Sequence, residues 1–129
     1  MVASEDMERA NAHRNAVAKL FQDNLVVVKV EMQSRDGRST GGIRISEAFR
    51  DPLIYSEFSD VVVDITALPA ELYFPLIATL LTVWRSQQEQ YLNPVNLHVV
   101  VCDNPNVDRM ITPEGGDKAE FIYGFTGTF

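Results

Sequence analysis

Cysteine is almost absent from this sequence: Cys102 is the only one in 129 residues. One thiol cannot build an intrachain disulfide framework or a cysteine-rich zinc site. Histidine is scarce as well, limited to His13 and His98, so ligands for a zinc centre are too few. Positive charge is also in short supply. The net charge is −7, which argues against a general nucleic-acid coat and for solubility. Long hydrophobic runs are missing too. The longest apolar stretch, residues 72–84, is broken by Tyr73, Pro75 and Thr79 and falls short of the roughly 20 residues that cross a bilayer. Residues 1–8 are acidic and polar, without the basic lead and apolar core of a secretory signal. No internal repeat or low-complexity tract is visible. A cytoplasmic location away from membranes is the expectation these absences leave.

What is present describes one globular domain. Apolar residues make up 46% and charged residues 22%, an ordinary balance. A chain of this length buries roughly two-thirds of its unfolded surface. The charge is uneven: residues 1–50 hold 8 basic and 7 acidic side chains, and residues 51–129 hold 3 and 11. Such a split within one domain can mark where a charged ligand sits, or it can arise by chance in a short chain.

Residues 4–24 read as a helix. Ser4 can cap it, Glu5, Asp6 and Glu8 suit its first turn, and Ala10, Ala16, Val17, Leu20 and Phe21 give a partial apolar face. Residues 25–32 read as a strand whose first half, Leu25, Val26, Val27 and Val28, is expected to be buried on both faces, as in a parallel sheet. Residues 33–42 form a polar turn region, with Asp36-Gly37 and Gly41-Gly42 as turn signals. A short helix is expected over 43–49, ended by Asp51-Pro52, and a second strand over 60–65 around Val61, Val62 and Val63. A long helix follows over 69–91, with Thr66 as its cap and Pro75 expected to kink it or delay its start. A third strand is expected over 97–102, then a turn at 103–106, a helical turn at 107–111 and a fourth strand at 121–123. Valine-rich runs separated by helical segments predict a three-layer, Rossmann-like α/β domain with a small, mainly parallel sheet. The end is apolar, with Phe121, Ile122, Tyr123, Phe125 and a final Phe129. Either the sequence is a fragment of a longer protein, or this end docks on the sheet or on a partner.

In open parallel sheets, ligands bind beyond the carboxyl ends of the strands, which selects three segments. In 33–42, Arg35, Arg38 and Arg44 flank Ser39, Thr40, Gly41 and Gly42. Guanidinium groups, hydroxyls and the N–H groups of a helix start suit a phosphate or carboxylate. The run matches neither G-x-x-x-x-G-K-[ST] nor G-x-G-x-x-G, and a plain surface loop is the alternative. In 64–69, Asp64 and Thr66 suit a magnesium ion or a ribose hydroxyl, or else cap the next helix. The segment 103–109 supplies Asp103, Asn104 and Asp108, and Asp103, Asn104 and Pro105 read as a turn. If strands two and three are neighbours, Asp103 instead joins Asp64 in a magnesium site, with Arg109 or Lys118 as the cation of a phosphohydrolase. His98 reads as a structural strand residue and Cys102 as a small core residue. No Ser-His-Asp or Cys-His pattern is present. The aromatic residues read as core or interface, not as a base-stacking platform.

The run Val61-Val62-Val63-Asp64-Ile65-Thr66 resembles a strand-end motif of CRISPR-associated Rossmann-fold sensor domains. In that family an Asp-x-Thr after a hydrophobic strand precedes a Gly-Thr-Lys turn that helps bind cyclic oligonucleotides. Ala67-Leu68-Pro69 stands in place of that turn here. Residues 64–75, with Leu68-Pro69 and Phe74-Pro75, also resemble segments of uncharacterised bacterial Rossmann-like proteins. Three readings follow. The first is a ligand-recognition module for a small anionic ligand or nucleotide, carried by Arg35, Arg38, Ser39, Thr40, Asp64, Thr66 and Asp103. The second is a magnesium-dependent phosphohydrolase using Asp64 and Asp103. The third is a protein-interaction module that pairs with a second copy, or with a partner domain at the C-terminal end. No motif specifies a cofactor.

Overall fold

The computed structural model describes residues 4–88 and 95–110, with side chains for 5–86, 95–106, 109 and 110. The architecture is mixed α/β. Helix α1 (Ser4–Phe21) runs into a 3₁₀ turn, Gln22–Asn24. After a loop come α2 (Gly41–Phe49), a second 3₁₀ turn (Pro52–Tyr55), strand β1 (Asp60–Asp64), helix α3 (Ala70–Gln88), strand β2 (Asn96–Val100) and the short α4 (Pro105–Asp108).

The centre is a β1–α3–β2 unit. The strands are parallel and in register from Asp60 opposite Asn96 to Asp64 opposite Val100. Parallel neighbours need a crossover, and a helix is its usual form. Helix α3 places Leu72, Leu76, Leu80, Val83 and Trp84 at helical spacing on one stripe. All five are buried, together with Val63 of β1, Ile45 of α2 and Tyr55. Val61, Ile65 and Leu97 pack against this cluster half-buried. Strand alternation explains the choice: 61 and 63 point one way, and 60, 62 and 64 the other.

Tyr55 locks the 3₁₀ turn onto this core. Its ring meets Trp84 edge-on, with centroids 6.0 Å apart, and its hydroxyl donates to the Phe49 carbonyl at 2.8 Å. Burial, with a smaller contribution from Asp51, pushes the phenol up to about 12. Trp84 Nε1 is buried with no hydrogen-bond partner among the described residues.

Several expectations change. Pro75 sits inside α3 without delaying its start. The Pro69 carbonyl already accepts from Leu72 and Tyr73 N–H, at 2.9 and 3.1 Å. Pro75 forfeits only the bond to the Glu71 carbonyl, and burial of its ring offsets that loss. The strand expected over 25–32 has no ladder partner among the described residues, whose sheet has two strands. Nor is its first half buried: Val26, Val27 and Val28 are 82%, 53% and 45% exposed. β-branched residues favour an extended chain, but only a neighbour makes a strand of it. The apolar side of α1 is likewise uncovered, with Val17, Leu20 and Phe21 exposed. The second sheet face carries Asp60, Val62 and Asp64 beside Asn96, His98 and Val100, and Val62 is 63% exposed. The described residues therefore cover one face of the sheet. The fourth strand expected at 121–123 lies outside them, as does Lys118.

If α3 on the sheet is the main source of stability, Leu80→Ala, at a side chain only 1% exposed, is expected to cost about 2–5 kcal/mol in denaturant unfolding. Val26→Ser is expected to change stability by no more than about 0.5 kcal/mol. Equal costs at the two positions would contradict this placement of the core.

Candidate functional site

The two strands end side by side, and hydrogen bonds tie the loops beyond them. The Ile65 N–H donates to the Val100 carbonyl at 3.0 Å, extending the ladder one step. The Asp64 carboxylate accepts the Thr66 N–H at 2.9 Å, a local Asx turn. Hydrogen bonds from the Thr66 side chain and N–H hold the Asp64 carboxyl below its ordinary value. The Thr66 hydroxyl oxygen accepts the Cys102 N–H at 2.9 Å. Thr66 is thus a clasp between the two strand ends and not the cap of α3, whose first helical bonds start at the Pro69 carbonyl. Cys102 is exposed, not a core residue, because β2 stops at Val100 and the chain beyond leaves the sheet. Asp103 follows it at the surface, so the condition that strands two and three be neighbours is met.

The polar segment 33–39 is a tight hairpin. Gln33 and Ser39 bridge antiparallel. Gly37 N–H donates to the Ser34 carbonyl and Ser34 N–H to the Arg38 carbonyl, both at 2.9 Å. Gly37 has φ of 81°, so the loop is a type I turn closed by a left-handed glycine. This is why Asp36-Gly37 is a turn signal. Asp36 accepts from the Ser34 hydroxyl and pairs with the Arg38 guanidinium at 2.6 Å. Those partners hold Asp36 below its ordinary value, Ser34 contributing most. The pair is exposed to solvent and contributes little stability. Arg35 has no ion-pair partner among the described residues.

A second contact brings this hairpin to the strand ends. The Ser39 hydroxyl donates to the Glu71 carboxylate in the first turn of α3. Thr40 anchors the other side, its hydroxyl donating to the Glu31 carbonyl at 2.9 Å and its N–H to the Met32 carbonyl at 2.8 Å. Gly41 lets the chain pass close to α3. A Cβ there would meet Met32 Sδ at 2.9 Å and Leu72 Cδ2 at 3.0 Å.

Ser39 and Thr40 are therefore brought toward the helix that follows Asp64 and Thr66. Arg44 is not held for this site: it pairs with Glu47 at 3.4 Å on α2. The residues that sequence reasoning missed are Glu71 and Asp36. An acid in a helix's first turn is an ordinary dipole partner, and only the fold shows Glu71 facing Ser39.

No family model, curated protein or solved structure matches the chain. Among the described residues, no three His, Cys, Asp or Glu side chains gather closely enough to hold a metal ion.

The opposite end of the sheet carries a different cluster. Asp60 accepts from Ser59 Oγ at 2.7 Å and Asn96 Nδ2 at 3.1 Å, and contacts His98 Nε2 at 3.0 Å. These groups, Ser59 first, bring its carboxyl down to about 2. His98 thus pins β2 to β1, the structural role expected of it. A groove of about 490 Å³ opens nearby between α3 and the start of β2, beside Trp84, Arg85 and His98. It lies at the amino end of β2, away from the clasp.

The lowered Asp60 pKa has a signed consequence. Its stabilisation is fully present above the ordinary value of 3.8 and is lost as pH falls through about 2. In urea unfolding, wild type is expected to exceed Asp60→Asn in stability above that range, and the gap is expected to close on acidification. A gap independent of pH would contradict the cluster.

Proposed function

We propose that this protein is a ligand-recognition module that binds a small anionic ligand, of the nucleotide class, at the carboxyl ends of its strands. The observation that carries the reading is the convergence of three loops: the Ser39–Glu71 hydrogen bond ties the arginine hairpin to α3, and the Thr66–Cys102 bond ties α3's approach to the end of β2. The three-layer, Rossmann-like organisation belongs to this proposal, because ligands of such sheets gather at this end. The resemblance of Asp64-Ile65-Thr66 to CRISPR-associated Rossmann-fold sensor domains supports the nucleotide class. It also implies a bacterial, cytoplasmic sensor as the setting.

In this reading Arg35 meets phosphate directly, and Arg38 exchanges Asp36 for it. Guanidinium groups bind phosphate through paired N–H donors. Ser39 and Thr40 donate to the ligand by exchanging their bonds to Glu71 and the Glu31 carbonyl, and Asp64 and Asp103 accept from ribose hydroxyls. The segments of the proposed site also carry the carboxylates of Asp36, Asp64, Glu71 and Asp103. Like-charge repulsion therefore favours a ligand with few phosphates over a polyphosphate.

Calorimetry of the full chain with a panel of nucleoside monophosphates and cyclic nucleotides tests this. Arg35→Ala and Arg38→Ala are each expected to weaken binding by about tenfold or more. Absence of binding across the panel, or affinity unchanged in both variants, would overturn the reading. The adjacency of the β1 and β2 ends favours a second reading, a magnesium-dependent phosphohydrolase using Asp64 and Asp103. Magnesium-dependent release of phosphate, abolished in Asp103→Asn, is its signature.

A further inference from the structure

From Val26 to Val30 the backbone makes no hydrogen bond among the described residues, while the Glu31 and Met32 carbonyls are already held by Thr40. Leu25 is extended, with φ of −91° and ψ of 121°, and no residue from 25 to 32 has a positive φ. Val30 and Met32 turn inward onto the core, while Lys29 and Glu31 are exposed, which is the alternation of a strand. Yet no ladder partner for residues 25–32 is present among the described residues. An exposed apolar edge of this kind is a template for another strand.

We propose that this segment pairs with the same segment of a second copy of the chain, antiparallel about a two-fold axis at Val30. The charge pattern selects this occupant and this register. With Val30 opposite Val30 of the partner subunit, Lys29 of each copy lies opposite Glu31 of the other, giving two reciprocal ion pairs. Slipping the register by two residues keeps the same faces together, but it sets Lys29 against Lys29 in one direction and Glu31 against Glu31 in the other. Opposite charges across an antiparallel pair are favourable and like charges unfavourable. A lone edge lysine would only repel strands, whereas Lys29 with Glu31 admits one partner in one register. Slipping by one residue would pair Val30 of one copy with Lys29 or Glu31 of the other, which sets the two cores on opposite faces and is incompatible with the two-fold axis. The resulting interface is isologous, as a two-fold dimer requires, and it adjoins the hairpin through Thr40, which bonds the Glu31 and Met32 carbonyls.

Analytical ultracentrifugation of the full chain tests the proposal, with circular dichroism confirming that each variant is folded. Wild type is expected to sediment as a concentration-dependent dimer. Lys29→Glu and Glu31→Lys each place like charges opposite each other twice, and each is expected to weaken the dimer about tenfold or more. Two outcomes are specific to the register. The double variant Lys29→Glu/Glu31→Lys restores the dimer, and mixing the two single variants yields a heterodimer. A wild type that is monomeric at every concentration, a dimer indifferent to the single variants, or a double variant no better than either single one overturns the proposal.

Discussion

The described fold depends on one packing decision: the apolar stripe of α3 must lie against one face of two parallel strands. Leu72, Leu76, Leu80, Val83 and Trp84 supply most of the buried apolar side chains. Val63, Ile45 and Tyr55 are the surfaces they bury against. Among the described residues no polar or charged residue is buried with them, so the cluster is held by apolar burial, at roughly 25 cal/mol per Å² removed from water. Pro75 persists inside α3 because the same burial encloses it.

The position of α3 then determines what surrounds the strand ends. Its first turn starts six residues after Asp64, so Glu71 arrives where the hairpin carrying Arg35 and Arg38 comes down. Gly41 removes the side chain that would hold the two apart. The same anchoring leaves the sheet polarised. Asp60, Asn96 and His98 tie the strands at one end, and Thr66 with Cys102 ties them at the other. The hairpin that carries Arg35, Arg38 and Ser39 is tied to the second end through the Ser39–Glu71 bond.

Much of this was legible in the residues, and the failures share one cause. Val61, Val62 and Val63 between two aspartates, the spaced leucines of α3 and the Asp36-Gly37 turn are local patterns, and each appears in the fold. Val26, Val27 and Val28 form an equally strong local pattern, but the strand inferred from them has no neighbour in the described fold, because propensity cannot choose a partner. The strand expected over 97–102 ends at Val100, so Cys102 lies two residues beyond it and is exposed. At the site, the segments were legible and the pairings were not. A hydroxyl just before a helix signals a cap, yet Thr66 serves a backbone N–H 36 residues away. Arg38 looked available for an anion, and a turn closed by Gly37 brings Asp36 back onto it.

The central claim, that ligand binds where these three loops meet, is tested most directly by backbone amide NMR of the full chain titrated with a nucleoside monophosphate. The expected result is saturable, concerted shifts at Gly37, Ser39, Gly41, Thr66 and Cys102, with Val62 and His98 on the sheet face opposite α3 unmoved. Shifts confined to that face or to α1, or no saturable shift at all, would contradict it.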